Sequence, residues 1–276
     1  MMMDSSIKYQ PDMVIYHDHC ADGFGAAWAC WMRWKDSVEY IPANYGEAPP
    51  DVTGKHVLIV DFSYKEPVLR DMGATAASVV VLDHHKTARD DLDQFRCFAE
   101  KPERFTPATV SSMIGDLNRG GYPAILALFD MDRSGARLAW DFCHGGYVPL
   151  LIRLIEDRDL WRFTMEDTKP FSLWLRSEPF TFDRFELISQ QLHDGHEIMT
   201  EARAMQRFFD AKVDEIASFA KRRGLAEHNP IMVNCPPMFA SEVGHALLDK
   251  HPDAPFSAMW FEANGKRMWS LRKIGR

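Results

Sequence analysis

Carboxylates and imidazoles gather at the ends of three apolar runs. Asp83, His84 and His85 directly follow the run that ends Val81-Leu82. Asp61 closes the run Val57-Leu58-Ile59-Val60, and His17, Asp18, His19 and Asp22 follow Met13-Val14-Ile15-Tyr16. Such residues at strand ends suit a hard divalent cation. A dinuclear site needs one carboxylate that bridges two cations about 3.5–4 Å apart, which clamp a phosphoryl group and activate a water between them. Asp61, isolated from other acids, is the candidate bridge. Gly23 after Asp22 permits a tight turn and a close backbone approach by a phosphate. His84 can ligate through one ring nitrogen while a carboxylate fixes its tautomer. Oxygen and imidazole donors together favour manganese or magnesium over zinc or copper. Any one of these residues alone reads more simply as a cap or a turn residue. The metal reading rests on their shared placement.

The elements that must position these groups alternate as strands and helices, the pattern of a mostly parallel α/β sheet with helices on its faces. Five strands are expected, at Met13–His17, Val38–Pro42, His56–Asp61, Ser78–Asp83 and Ile125–Phe129. Helices are expected at Gly23–Trp34 and Lys65–Met72, from a Ser134 cap to Cys143, and from Val148 to Asp157. In an open sheet of this kind, ligands collect at the carboxyl ends of the strands. Residues 99 to 123 lack clean periodicity and read as an insertion or lid-like excursion. A long helical pattern from Phe185 to Leu225, broken near Gly195, reads as a connector. After it come a strand, a helix and two strands in a small α+β lobe. The expected organisation is thus a domain over 1–185, a connector over 186–226 and a small domain over 227–276.

The formal charge is −8, with 40 acidic against 32 basic residues, which excludes a broad grip on long DNA or RNA. A nucleotide or short oligonucleotide at one local site remains open, because a bound metal inverts the local sign. Five cysteines, odd in number and without a Cys-x-x-Cys pair, favour free thiols in a reducing compartment. The amino terminus lacks the apolar core of a signal peptide, and no stretch is long and apolar enough to span a bilayer. Cytoplasm is the expected location, with no membrane partner. His193 and His196 lie three apart but read as solvated, since no third ligand is in view. Lys221-Arg222-Arg223-Gly224 reads as a basic helix end.

With these residues in order, the chain resembles the DHH phosphoesterase superfamily, and within it the enzymes that degrade very short RNA. The resemblance covers roughly residues 13 to 165 and continues more weakly beyond. Asp83-His84-His85 matches the naming motif and Val60-Asp61-Phe62-Ser63 the second motif. His17-Asp18-His19-Cys20-Ala21-Asp22-Gly23 takes the place of the first. Ser134-Gly135-Ala136 and Glu156-Asp157-Arg158-Asp159-Leu160-Trp161 look like the later segments. The resemblance implies a two-metal hydrolase that uses manganese, or magnesium in its place. Asp61 would bridge the ions, with Asp22, His84 and Asp157 on one and His17 or Asp18 on the other; Asp159 rivals Asp157. His85 would contact the scissile phosphate, and Asp83 would orient the histidine pair. Gly23, Ser134 and Arg272 are the candidate substrate contacts.

The chain departs from that pattern twice. The first motif carries Asp-x-Asp-Gly in the family, and here Cys20-Ala21-Asp22-Gly23. Cys20 is then either a softer ligand or a small buried residue. The family's C-terminal domain continues into a Gly-Gly-Gly-His segment, which is not present before Arg276. The substrate half-site is therefore expected to serve a small ligand, to be completed by a partner chain as in a homodimer, or to be weakened. Three activities are open. The first is hydrolysis of phosphodiester bonds in short oligonucleotides or in cyclic or linear dinucleotides. The second is hydrolysis of pyrophosphate or small phosphomonoesters. The third is a nucleotide-binding or assembly module without catalysis.

Overall fold

Apolar, largely β-branched runs build the first sheet. The computed structural model of the chain describes residues 9–97, 101–195 and 198–273. Its strands are β1 (Met13–His17), β2 (Glu39–Ala43), β3 (His56–Val60), β4 (Ser78–Asp83) and β5 (Ile125–Phe129). They lie in the order β2-β1-β3-β4-β5, all parallel. β3 and β4 are buried almost throughout, so they read as continuous apolar runs, as a parallel sheet covered on both faces requires.

Helices supply that cover. The first unit contains α1 (Ala21–Trp34), α2 (Glu66–Thr75), α3 (Arg89–Leu92), α4 (Pro107–Gly120), α5 (Gly135–Cys143), α6 (Leu150–Asp159), α7 (Thr168–Leu175) and α8 (Phe182–His193). One core forms where Ile15, Ile59, Val79 and Val81 meet Leu69 and Met72 of α2 and Leu92 of α3. Alternation sends Val14, Leu58 and Val80, also fully buried, to the opposite face. There α1 and α5 pack on the sheet and on each other, with the Trp28 and Trp140 rings stacked 5.8 Å apart.

The segment expected as an irregular excursion carries α4 instead. Thr106 accepts from the Thr109 N–H while the Thr109 hydroxyl accepts from the Thr106 N–H, Pro107 occupies the first turn, and Gly121 ends the helix at φ +74°. Only Pro107, Val110 and Ile114 are buried along it, so its apolar stripe is too narrow to show as a clear period. The helix is the crossover from β4 to β5. Ala99 and Glu100 lie outside the described residues.

The chain divides into two compact units at Thr200/Glu201. The expected connector is two helices, α8 and α9 (Ile198–Ser218), with Gly195 between them at φ +73°. His196 lies outside the described residues. Ala202, Phe209 and Val213 of α9 are buried as the helical period predicts, whereas Phe208 and Phe219 are exposed.

In the second unit, β6 (Lys221–Arg222), β7 (Ile231–Asn234), β8 (Ser257–Ala263) and β9 (Lys266–Arg272) form a mixed sheet in sequence order, with α10 (Ala240–Lys250) packed on β8 and β9. Lys221 and Arg222 are therefore not a helix end. They pair antiparallel with Met232 and Ile231, and Arg222 lies 2.6 Å from Asp253. Among the described residues, no helix is long and apolar enough to cross a membrane.

Candidate metal centre

Strand register sets the site. Tyr16 pairs with Val60, and Val60 with Leu82. The next residue on each of these adjacent strands is His17, Asp61 or Asp83, so the three form one row at the carboxyl edge. The strand order reverses between β1 and β3, which opens a crevice above that row. Two glycines bring helices down onto it. A Cβ on Gly23 would fall 2.2 Å from the His17 carbonyl oxygen, and one on Gly135 would fall 2.3 Å from Asp61 Cβ. The close approach that requires glycine at position 23 is thus made by the protein's own backbone at His17.

Asp61 is the hub. It is 1% exposed and sits at φ +53°, a left-handed conformation that an aspartate tolerates better than most residues. Its Oδ1 lies 3.0 Å from His84 Nε2 and 3.9 Å from His85 Nδ1, and its Oδ2 lies 3.7 Å from His17 Nδ1. His84 Nε2 also lies 3.5 Å from Asp22 Oδ2 and 3.6 Å from Asp159 Oδ2. The donor atoms form three overlapping sets, each within 4.8 Å: His17, Cys20 and Asp61; Asp61, His84 and His85; and Asp22, His84 and Asp159. Asp61 Oδ2 and His17 Nδ1 are buried without hydrogen-bond partners. Such orphaned atoms cost stability unless a ligand takes them up, so this donor set fits a metal.

Asp83 is fully buried and organises the histidines. Its Oδ1 accepts the His84 N–H at 2.7 Å and the His85 N–H at 3.1 Å, and lies 2.8 Å from His85 Nδ1. His85 thereby keeps Nε2 as the ring nitrogen available to a substrate.

Electrostatics divide the carboxylates. Burial pushes Asp22 well above the usual range, helped by the negative charges of Asp61 and Asp159. Burial and Asp61 also raise Asp159, against the pull of His84. Burial would raise Asp61 too, but the imidazoles of His17, His84 and His85 outweigh it and hold the group at about 2. Burial opposes protonation of His85, yet its bond to Asp83, the Asp83 charge and then the charges of Asp61 and Asp159 raise it to about 9. Histidines raised in this way stabilise the folded chain fully below their ordinary value, and that contribution is lost as pH rises through the folded value. In chelator-treated protein, resistance to urea should therefore fall between about pH 6.5 and 9. Manganese affinity should also rise as pH climbs above about 6.5, because His84, which burial would lower but its bond to Asp61 raises, must be neutral to ligate. Calorimetry and urea melts across that range check both; flat profiles would contradict the assignment.

Other expected site residues stand elsewhere. Asp18 accepts the His19 N–H at 2.8 Å and lies 3.0 Å from His19 Nε2, apart from every donor set named above. Ser134 is completely buried, caps α5 through the Arg137 N–H and bonds Asp22, so it positions a carboxylate and is not reached by substrate. Asp22 further accepts from the Gly135 and Ala136 N–H groups at 2.6 and 3.0 Å. Arg272 lies in the second unit and donates to Ser241 Oγ at 3.0 Å and to the Leu271 carbonyl at 2.9 Å.

Asp157 is not in the cluster. Its carboxylate accepts from Thr164 N–H at 2.9 Å, Thr164 Oγ1 at 2.6 Å, Met165 N–H at 3.2 Å and the Thr168 hydroxyl. Its place is taken by Asp159. Residues two apart on a helix point about 200° apart, so only one of the pair can face the site. Ile155 of α6 lies against Gly25 of α1. One turn onward on α6 is Asp159, and about one turn back on α1 is Asp22, which brings these two carboxylates together.

Sequence reasoning also missed the surroundings. Tyr45, half exposed, sets its ring 5.2 Å from that of His17 and 6.2 Å from that of His85. A cleft of about 360 Å³ beside the cluster is lined by Cys20, Asp22, Arg158, Asp159, Trp161 and Arg176, among others. Arg158 lies 4.4 Å over the Trp161 ring, and Trp161 and Phe163 both hold positive φ, at +55° and +50°. Bulky residues seldom adopt that conformation, and such strain concentrates at binding sites.

The chain matches no model of a known protein family. It is similar to an uncharacterized protein, R106, of Acanthamoeba polyphaga mimivirus, with 26% identity over 272 residues. That similarity spans 92% of this chain but 58% of the viral protein's length.

Proposed function

We propose that the first unit is a divalent-metal-dependent phosphoesterase that hydrolyses phosphodiester bonds in short oligonucleotides or dinucleotides, as the resemblance to the DHH superfamily implies. The supporting observation is the buried Asp61 carboxylate, with one donor set on each side and one oxygen unpartnered. His17 and Cys20 would hold one ion with Asp61; Asp22, His84 and Asp159 would hold the other. Bound there, manganese or magnesium would activate a water and neutralise charge on the phosphoryl oxygens.

The chain's own groups supply the rest. Asp83 fixes the His85 ring through Nδ1, so Nε2 meets the phosphate or the leaving oxygen. Its bond to the Asp83 carboxylate favours the protonated ring, so His85 can deliver a proton to that oxygen. The adjoining cleft is lined by Arg158, Arg176 and Trp161, residue types that suit a nucleotide with an anionic and an aromatic part. Its volume of about 360 Å³ suits a ligand about the size of one nucleotide.

Incubation of the full chain with a linear dinucleotide and manganese should release mononucleotides, and chelation should stop the release. Phosphate release from pyrophosphate with an intact dinucleotide would replace this reading by a pyrophosphatase. Nucleotide binding without metal binding or turnover would replace it by a non-catalytic module.

A further inference from the structure

We propose that the pocket formed by His17, Cys20 and Asp61 binds a borderline-soft cation, zinc or iron(II), through the Cys20 thiolate, beside a harder manganese or magnesium pocket formed by Asp22, His84 and Asp159. The centre then holds two unlike metals. The proposal rests on the two-metal reading above and adds the identity of one ion.

The two donor sets differ in chemistry. Asp22, His84 and Asp159 offer oxygen and imidazole alone, whereas the other set places the Cys20 sulfur within 4.8 Å of the His17 and Asp61 donors. Thiolate selects zinc and other borderline ions over manganese and magnesium, which prefer oxygen. Two further atoms point to an occupant in this same pocket. Asp61 Oδ2 and His17 Nδ1 are both buried and both without a hydrogen-bond partner, and Asp61 is 1% exposed.

No second carboxylate serves that pocket among the described residues. Asp18, the acid nearest in sequence, is committed to His19. The sulfur must supply the third protein ligand.

Burial and the negative charges of Asp61 and Asp22 push the Cys20 thiol up, so the arriving cation must itself drive off the proton. Cys20 is the N-cap residue of α1, in extended conformation, ahead of a 14-residue helix. The backbone N–H groups of Gly23 and Asp22 at the start of the helix offset part of that shift. Unlike Cys30 and Cys143, whose sulfurs lie 3.9 Å apart in the core, Cys20 is partly accessible. Ligation would move the thiol proton to solvent and change no oxidation state.

The test is titration of the chelator-stripped full chain with cobalt(II), a spectroscopic stand-in for zinc. The expected result is a near-ultraviolet thiolate-to-cobalt band that is absent from Cys20→Ser and retained in Cys30→Ser. Cys20→Ser should also lose at least about tenfold in zinc affinity, while manganese binding to the other pocket changes little. Should that variant fail to fold, alkylation of the parent protein read by mass spectrometry serves instead, because zinc should shield Cys20 and magnesium should not. Two bound equivalents of cobalt without the thiolate band, or zinc that leaves Cys20 open to alkylation, would overturn this proposal alone. No binding of any ion by the parent protein would overturn it together with the phosphoesterase reading.

Discussion

Asp61→Asn should lower manganese-dependent hydrolysis of a linear dinucleotide by about 10³-fold or more, equivalent to about 4 kcal/mol of transition-state stabilisation. Asparagine keeps the shape of the side chain and tolerates the φ of +53° that this position requires. It cannot offer two anionic oxygens to two cations. The fold should survive, because the site contains its own replacement charge. Asp22 and Asp159 are raised partly by the Asp61 charge, so its removal lets one of them ionise and pair with His84. Stability of the chelator-treated variant should then stay within about 1 kcal/mol of the parent. Steady-state rates, manganese stoichiometry by calorimetry and urea unfolding measure the three effects separately. A variant that still turns over at the parent rate would remove Asp61 from the chemistry. One that is inactive because it is unfolded would refute the charge-exchange argument.

The reason so much of the centre could be placed from sequence lies in the sheet. Strands buried on both faces read as unbroken apolar runs, and Val57–Val60 and Val79–Leu82 are such runs. The polar residue that ends each run marks the carboxyl edge, and parallel register then aligns His17, Asp61 and Asp83 without further information. Helical contributions lack such a landmark. Asp157 and Asp159 are both acidic and both near the end of α6, and the phase that separates them is set by the contact of Ile155 with Gly25, a tertiary event. Ser134 shows a related ambiguity. Its role as a cap was legible, but its complete burial against Asp22 was not. The α4 helix was concealed for a different reason: its signals sit at its ends, in Thr106-Pro107 and Gly121, and its apolar stripe is narrow. Lys221 and Arg222 carry no strand pattern of their own, and only the neighbouring β7 makes them an edge strand.

The exchange of Asp157 for Asp159 has a second large consequence, because the two carboxylates should fail in opposite ways. Asp157→Ala removes the acceptor for two backbone N–H groups and two hydroxyls at once. Hydrogen bonds to a charged group each contribute about 1.5–3 kcal/mol, and leaving buried donors without partners adds to the loss. A destabilisation of about 3–5 kcal/mol is expected once the partners relax, which puts this change among the most damaging single substitutions. Burial acts to raise Asp157, but its bonds to Thr164 and Thr168 prevail and hold it below the usual carboxylate range. Its contribution is therefore present above the ordinary aspartate value of about 3.9 and fades as pH falls through the lower folded value. The variant should accordingly show a shallower loss of stability in acid than the parent. The segment that Asp157 pins includes Trp161 and Phe163 in left-handed conformations, so its release should also blur the cleft wall. Asp159→Asn should do the reverse. That carboxylate is raised by burial and by the Asp61 charge, so neutralising it relieves repulsion and leaves the melting curve unchanged or slightly improved. Manganese affinity should nevertheless fall by about 100-fold or more, since even groups that only orient ligands command up to about that factor. Urea unfolding and manganese calorimetry on both variants decide the matter: loss of metal with normal stability in Asp157→Ala would return the ligand role to Asp157 and dismiss Asp159.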